Sequence, residues 1–341
     1  MKFRSSLHRE GGVANYAHMA KKARIQLDLT TNPLGCPDAA WRALMVVQAP
    51  EISQYAPSLE EVRMRLARRS GLRTEEILLT AGADQAIEIV LDHLLDPGDV
   101  IGIHVPTFPR FEIVAASICD AKVTCFSDLA RVPECKAVVF CTPNNPTTLE
   151  IPLQDIRSIA HAHPEIWIIV DSVFAEFGSQ DVSALVRDFE NAIVLKSLSK
   201  SFGLAGLRIG WIEARQETLV MLQEGISPFR VPIVCQRAAL AALNDPGHIL
   251  RTLEFLDKQF VLIKSAVGDS VVRTSNVPFY LFMTDEPVRA REWLLGKDIS
   301  VVDSTAFKGS SHGFLRIMIG TAAENQEVID ALKAWMALVP H

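Results

Sequence analysis

The chain has 341 residues, of which 49% are hydrophobic and 22% are charged. This length predicts a substantial core in two domains, or in one large domain with a smaller one attached. The composition excludes disordered and collagen-like chains. The 34 basic and 40 acidic residues leave a net charge of −6. We therefore expect small molecules or a second copy of the chain as partners, rather than nucleic acid or an anionic membrane.

The sequence gives no sign of a membrane span, a signal peptide or a metal site. No run approaches the roughly eighteen apolar residues that a spanning helix needs, and the N-terminal residues lack a signal peptide's apolar core. The six cysteines form no C-x-x-C pair, and the nine histidines are scattered. We interpret the cysteines as reduced thiols of a cytoplasmic protein and expect no metal.

The first hundred residues predict an irregular arm followed by two helices. Residues 1–30 form the arm, and Ser58 with Glu61 is a capping-box pattern at the start of the first helix. The second helix has apolar residues at positions i, i+3, i+4 and i+7, namely Ile87, Val90, Leu91 and Leu94. It is expected to end at the turn formed by residues 96–99.

Short apolar runs then indicate buried strands at residues 100–105, 137–141, 166–170, 193–195 and 207–212. They are rich in valine and isoleucine and too short for helices, and helix-sized segments separate several of them. This pattern predicts a mainly parallel sheet covered by helices. After residue 231 the pattern changes to a long helical stretch at 232–266, strand-like runs at 279–282 and 314–319, and a final helix. We expect a second, smaller α+β domain there.

The segment at 194–208 is the first that indicates a reactive site. A strand ends in Ser197, and Ser199, Lys200 and Arg208 follow it. The two hydroxyls and the guanidinium could converge on one phosphate group. A lysine beside such a cationic site has a lowered pKa, which favours the free amine that attacks a carbonyl. Taken alone, the segment could equally be a solvated loop.

Three other segments place polar groups at the end of a strand or the start of a helix. Asp171 ends an apolar strand, where a carboxylate needs a cationic partner such as a protonated pyridine nitrogen or an arginine. Asn145 lies in a Pro-Asn-Asn-Pro turn that could also be a plain turn. Gly82 and Ala83 open a helix, where backbone N–H groups can bind an anion.

Together these four segments resemble the pyridoxal-phosphate enzymes of the aspartate aminotransferase fold (fold type I, aminotransferase class I/II). The branch nearest in pattern contains histidinol-phosphate aminotransferase and threonine-phosphate decarboxylase. The resemblance implies an α/β fold in which residues 31–230 form a large cofactor-binding domain around a mainly parallel seven-stranded sheet. It further implies a small α+β domain at 231–341, to which the arm at 1–30 contributes.

The resemblance also implies residue roles. Lys200 would form the Schiff base with the cofactor and carry the proton in later steps. Asp171 would pair with the pyridine nitrogen, and Asn145 would donate a hydrogen bond to the phenolic oxygen. The phosphate would be held by Ser197, Ser199, Arg208 and the backbone of Gly82 and Ala83.

Further matches concern the substrate and a second subunit. Phe108 would stack on the pyridine, and Tyr55 would reach the cofactor phosphate of a neighbouring subunit in a homodimer, although both could be core or interface aromatics. Arg316 would clamp the substrate's carboxylate or an equivalent anion. His8 and Asn32 lie in N-terminal segments that resemble the decarboxylase branch, and they are our other substrate-binding candidates.

Three positions depart from the family pattern. Phe174 stands where many relatives have a tyrosine, and Thr148 replaces the usual glycine, which suggests a different backbone geometry. Residues 299–303 lack the second arginine of members that bind phosphate substrates. Because a doubly charged phosphate needs more than one such donor, an amino-acid carboxylate is the simpler anion for Arg316.

We therefore expect an aminotransferase that acts on a small amino acid or amino-acid-like metabolite, with a keto acid as acceptor. The same residues would serve an α-decarboxylase, a cyclase or a lyase, because these reactions differ in which bond at the α-carbon breaks. A regulatory or binding protein on this fold is the non-catalytic alternative. The intact Lys200 and Asp171 argue against it.

Overall fold

The computed structural model describes residues 23–55 and 59–339. Its strands are β1 Ile25–Gln26, β2 Ile77–Thr80, β3 Val100–His104, β4 Lys122–Phe126, β5 Ala137–Cys141, β6 Trp167–Asp171, β7 Ala192–Ser197, β8 Gly210–Glu213, β9 Val271–Val272, β10 Phe279–Met283, β11 Ile299–Ser300, β12 Val302–Asp303 and β13 Phe314–Met318. Its helices are α1 Asp38–Met45, α2 Ala49–Ile52, α3 Glu60–Ser70, α4 Gly82–Leu94, α5 Arg110–Ser117, α6 Leu153–Ala162, α7 Ala184–Asp188, α8 Gln216–Leu222, α9 Ile233–Leu243, α10 Pro246–Val267, α11 Pro287–Leu295 and α12 Ala322–Leu338.

A seven-stranded sheet forms the centre of the larger part of the chain, in the order β2-β8-β7-β6-β5-β3-β4. Strands β4, β3, β5, β6 and β7 are mutually parallel, and β8 runs antiparallel to both of its neighbours. The predicted α/β fold with a mainly parallel seven-stranded sheet is thus confirmed. All five residues of β5 are buried, as expected for a strand covered on both faces.

Alternating residues of β5 show how the helices cover the sheet. Val139 packs in one core cluster with apolar residues of α4 and α5, such as Ile87 and Val114. Phe140, on the opposite face, packs with residues of α6 and α7, such as Ile156. The period of two along the strand therefore sends successive side chains into two helix-covered cores.

Several predicted boundaries differ from those observed. Strand β8 begins at residue 210 rather than 207, because residues 205–207 form a turn of 3₁₀ helix and Arg208 has a φ of +51°. The helical stretch predicted at 232–266 is two helices, interrupted at residues 244–245 before Pro246 begins α10. Ser58 of the predicted capping box lies outside the described residues.

The C-terminal part of the chain contains a four-stranded antiparallel sheet in the order β12-β13-β10-β9. Strand β1 pairs in parallel with β11, and the next residue, Leu27, packs in the core of this C-terminal part. The segment after β1 is therefore attached to the smaller sheet. The domain boundary at residue 230 stays a prediction.

Within residues 23–55 and 59–339, no helix is both long and apolar enough to cross a bilayer. The same residues contain no group of three or more side chains placed to hold a metal ion. All six cysteines belong to the described part of the chain, and each is a free thiol.

Candidate active site

The carboxyl ends of β5, β6 and β7 meet at one edge of the large sheet, because these neighbouring strands are parallel. A cavity of about 780 Å³ opens at this edge. Predicted cofactor-binding residues from distant parts of the sequence line it together: Ala83, Phe108, Asn145, Asp171, Ser197, Ser199, Lys200 and Arg208. The fold thus gathers these side chains around one space.

One end of the cavity is suited to an anion. The Arg208 Nη2 atom donates to Asp84 Oδ2 at 2.8 Å, which holds the guanidinium at the start of α4. Gly82 begins this helix with a φ of +80°, and a Cβ atom there would lie 2.5 Å from Arg208 Nη2. The Ser197 and Ser199 hydroxyls lie 2.8 Å apart beside them. Hydroxyls, a fixed cation and a helix N-terminus together fit a phosphate group.

Asp171 is a buried carboxylate whose nearest partners are uncharged. It is 4% exposed, and its Oδ1 accepts a hydrogen bond from the Val173 N–H at 3.1 Å. Cys141 also donates to the carboxylate, and the positive charge of Lys200 acts on it more weakly; within the described ranges no lysine or arginine forms an ion pair with it. Burial raises the pKa of Asp171 to about 6. A carboxylate in this setting fits a protonated ring nitrogen, which would supply the missing charge.

Lys200 presents its amine to the same cavity. Its Nζ donates to the Thr30 hydroxyl at 2.9 Å and lies 5.9 Å from the centre of the Phe174 ring. Burial lowers the pKa of Lys200 to about 8, and the positive charges of Arg316 and Arg208 act in the same direction. The direction agrees with the sequence prediction, but the main cause is burial rather than a neighbouring cation.

Arg316 is not among the residues that line the cavity, but it contacts the lining residue Asn145. It is 2% exposed, its Nη1 donates to Asn145 Oδ1 at 2.7 Å, and its Nη2 donates to the Asp28 carbonyl. Because a guanidinium can only donate, the Asn145 amide must turn its oxygen toward Arg316. This leaves the Asn145 Nδ2 group as a donor for an acceptor in the cavity.

The other predicted site residues lie elsewhere. Asn32 does not line the cavity, because its amide is used inside the chain: Nδ2 donates to the Ser201 carbonyl at 3.0 Å and Oδ1 accepts from the Leu34 N–H at 2.9 Å. The amide thus links the N-terminal segment to the turn after Lys200, and the substrate-binding role of Asn32 stays a prediction. Tyr55 is 76% exposed and stacks on Phe229, away from this cavity. His8 lies outside the described residues.

Two residues near the chemical groups were not among the predicted site residues. Asp84 follows Ala83 directly, so its place beside Arg208 could have been read from the helix start. Thr30 contacts Lys200 although the two residues are 170 positions apart in the sequence, and no local sequence pattern predicts this contact. Contacts of this kind depend on how the two sheets are placed against each other.

Thr148 keeps the backbone conformation that glycine favours. Its φ is +63°, so the different geometry expected from the Gly-to-Thr departure is not found. The residue is fully buried, and its Oγ1 accepts from the Thr274 N–H at 3.0 Å. The Thr274 hydroxyl also donates to the Thr148 carbonyl at 2.8 Å. These bonds offset the strain of a β-branched residue in the left-handed region.

This geometry predicts that a glycine at position 148 leaves the protein more stable than an alanine does. We expect Thr148→Ala to reduce the free energy of unfolding by about 1 to 3 kcal/mol, because it removes the hydroxyl that accepts from the Thr274 N–H and keeps the strained Cβ. Thr148→Gly should reduce the free energy of unfolding by less, since it also removes the strained Cβ. Urea unfolding of both variants, with Thr148→Ser as the control that keeps the hydroxyl, measures this order. An alanine variant more stable than the glycine variant would contradict it.

Comparison with known proteins adds an independent finding. The family model described as aminotransferase class I and II matches residues 24–332. A histidinol-phosphate aminotransferase of Legionella pneumophila (strain Lens) is 30% identical over 300 residues, which cover 81% of each chain.

Two solved structures have the same fold. One is an L-threonine-O-3-phosphate decarboxylase of Porphyromonas gingivalis, with a TM-score of 0.81, 22% identity, and coverage of 92% of this chain and 99% of that one. The other is a histidinol-phosphate aminotransferase of Sinorhizobium meliloti in complex with pyridoxal-5'-phosphate, with a TM-score of 0.82, 19% identity, and coverage of 93% and 92%. At these identities the structural likeness concerns the fold alone.

Proposed function

The chain belongs to the aminotransferase class I and II family and is a pyridoxal-phosphate-dependent aminotransferase, and from this premise we propose that its amino donor is a small amino acid or amino-acid-like metabolite. The observation that carries the proposal is the shared cavity. It combines a lysine of lowered pKa, a buried carboxylate and a guanidinium at a helix start.

Pyridoxal phosphate, when bound, supplies a reactive aldehyde and a ring that takes up the electron pair left by a broken bond at the substrate's α-carbon. Lys200 would hold the cofactor and act as the base that removes and returns the proton, since a pKa near 8 suits both tasks at neutral pH. Asp171 would keep the ring nitrogen protonated, and Asn145 would donate to the ring oxygen. Phe108 would pack against the ring as part of the same lining.

Arg316 is the proposed site for the donor's carboxylate. Its Nη2 donates to the Asp28 carbonyl, and we expect the incoming carboxylate to replace this main-chain oxygen with a charge-assisted bond. The residue paired with Arg316 on β12 is Val302, which adds no second cation. Because β12 supplies no second cation beside Arg316, we propose a single carboxylate as its ligand, rather than the phosphate ester named for the Legionella relative.

The phosphate assignment predicts a cofactor-binding defect for Arg208→Ala. We expect the dissociation constant for pyridoxal phosphate to rise at least about tenfold, because one charge-assisted contact is lost. Equilibrium dialysis of the cofactor measures the effect, and Arg131→Ala, at a surface arginine paired with Asp128, is the control. If Arg208→Ala retains the cofactor as well as the parent, the phosphate site lies elsewhere.

The active unit proposed is a cytoplasmic homodimer. Seven large apolar side chains lie exposed on α1, on α2, on α3 and in the neighbouring loops: Trp41, Met45, Val46, Ile52, Tyr55, Met64 and Phe229. Helices α1, α2 and α3 each contact α9, and we propose that these exposed side chains form one surface for association with a second copy. It includes Tyr55, the residue assigned to the cofactor phosphate of the neighbouring subunit. The six free thiols favour a reducing compartment.

The reaction is tested by incubating the cofactor-loaded protein with a panel of amino acids and 2-oxoglutarate or pyruvate as acceptor. We expect the keto acid of at least one small amino acid, and weaker or no turnover of histidinol phosphate. Release of carbon dioxide without keto-acid formation would contradict the proposal and favour an α-decarboxylase. Preferred turnover of histidinol phosphate would contradict the assignment of a carboxylate to Arg316.

A further inference from the structure

We propose that the Thr30 hydroxyl is a positioning residue that holds the Lys200 amine in place for proton transfer, an inference that rests on the proposed function. Thr30 lines the same cavity, is 7% exposed, and accepts from Lys200 Nζ at 2.9 Å. No role in binding or catalysis follows for it from the sequence pattern.

Thr30 and Lys200 reach this contact from different sheets. Lys200 follows β7 of the large sheet, whereas the segment that carries Thr30 is fixed to the C-terminal part of the chain. The Leu27 N–H donates to the Ser300 carbonyl at 2.9 Å, and the Met318 N–H donates to the Leu27 carbonyl at 3.1 Å. The hydroxyl is thus placed by the smaller sheet against an amine placed by the larger one.

A hydroxyl suits an amine that changes its protonation state. It can accept from the ammonium form and donate to the lone pair of the free amine, so the contact can persist while the proton leaves and returns. A valine of the same shape could do neither. The amine would then be free to rotate within the cavity, and proton transfer depends strongly on such placement.

Four charged groups also act on the Lys200 amine. They are Arg316 of β13, Asp84 of α4, Asp171 of β6 and Arg208 in the turn before β8. The two arginines favour the free amine and the two carboxylates favour the ammonium form. Because the hydrogen bond from an ammonium is stronger than one between neutral groups, loss of the Thr30 acceptor should lower the pKa of Lys200 further.

The test compares Thr30→Val, Thr30→Ser and Thr31→Val in the full chain. Thr31 is the matched control because its hydroxyl lies 3.4 Å from Met318 Sδ and not at the amine. In cofactor-free protein, acetylation of Lys200 by acetic anhydride is followed against pH by peptide mass spectrometry. We expect the pH at which acetylation of Lys200 is half-maximal, the acetylation midpoint, to fall by about 0.5 to 1 pH unit in Thr30→Val. It should stay at the parent value in Thr30→Ser and Thr31→Val.

In the holoenzyme, Thr30→Val should reduce kcat about tenfold with little change in KM, and Thr30→Ser should restore most of the loss. A parent-like acetylation midpoint in Thr30→Val, or the same shift in Thr31→Val, would overturn the inference. If Thr30→Val does not fold, Thr30→Ala is measured in the same way. A parent protein that fails to transaminate, but whose Lys200 midpoint still moves in Thr30→Val, would refute the proposed function and leave the Thr30 contact supported.

Discussion

Replacement of Lys200 by alanine is expected to reduce turnover at least about 10⁴-fold while the protein still binds pyridoxal phosphate. Lys200 has two tasks in the proposal, since it joins the cofactor covalently and moves the proton at the substrate's α-carbon. The anion site formed by Arg208, Ser197 and the start of α4 does not depend on the amine. Activity should therefore be lost without loss of the cofactor.

The measurement pairs kcat with the cofactor content of the dialysed protein. Lys264→Ala is a suitable control, because this half-exposed lysine of α10 pairs with Asp269, far along the chain from the cavity residues. It should keep parent-like turnover. A Lys200→Ala protein with more than a few per cent of parent activity would contradict the role of this amine.

Asp171→Asn is expected to reduce kcat/KM by about 10³-fold and at the same time to stabilise the cofactor-free protein. The substitution keeps the shape of the side chain and removes the charge that would hold the ring nitrogen protonated. Loss of one preorganised electrostatic partner at a buried site has effects of this size. The amide cannot take the place of the carboxylate, because it carries no charge.

Asp171→Asn should impair the reaction and yet stabilise the cofactor-free fold, because the pKa of Asp171 is raised by burial. Burial raises this pKa from 3.8 to about 6, so between these values the folded chain binds more protons than the unfolded chain. The contribution of Asp171 to the free energy of unfolding therefore falls as pH rises from about 4 to about 6, and stays low above that. At pH 8, Asp171→Asn should raise the free energy of unfolding of the cofactor-free protein by about 2 to 3 kcal/mol.

Urea unfolding of cofactor-free protein at pH 8 and at pH 4 tests this prediction. The increase in the free energy of unfolding of Asp171→Asn over the parent should be smaller at pH 4. Asp303→Asn is the matched control: Asp303 is also buried, but it pairs with Arg291 at 2.7 Å, so its replacement should destabilise the fold. A destabilising effect of Asp171→Asn at pH 8 would show that the carboxylate is already compensated without the cofactor.

Much of the fold could be predicted from the sequence because its strongest signals are local. Buried parallel strands appear as short valine- and isoleucine-rich runs, and the run at 137–141 coincides with β5. Polar residues at the ends of such strands meet at one sheet edge, which is why Asp171 and Ser197 share a cavity. Strand β8 began later than predicted because the positive φ at Arg208 is not visible in an apolar pattern.

Contacts between the two sheets could not be predicted in the same way. Asn32 was expected at the substrate, yet its amide binds the Ser201 carbonyl, since the N-terminal segment packs behind the lysine turn. Arg316 was expected to face the cavity, but it is covered by the Asp28 carbonyl of the same segment. Thr30 has no sequence signal at all. Each of these outcomes depends on where β1 and β11 place a segment that precedes the large sheet.

The most direct test of the account is reduction of the cofactor-loaded protein with borohydride, followed by proteolysis and mass spectrometry. We predict that the reduced cofactor is found on Lys200 alone. Lys196, four residues earlier, should be unmodified, because its amine donates to the Ser183 hydroxyl at 2.6 Å. Modification of any lysine other than Lys200, or recovery of the cofactor entirely free after reduction, would contradict the account.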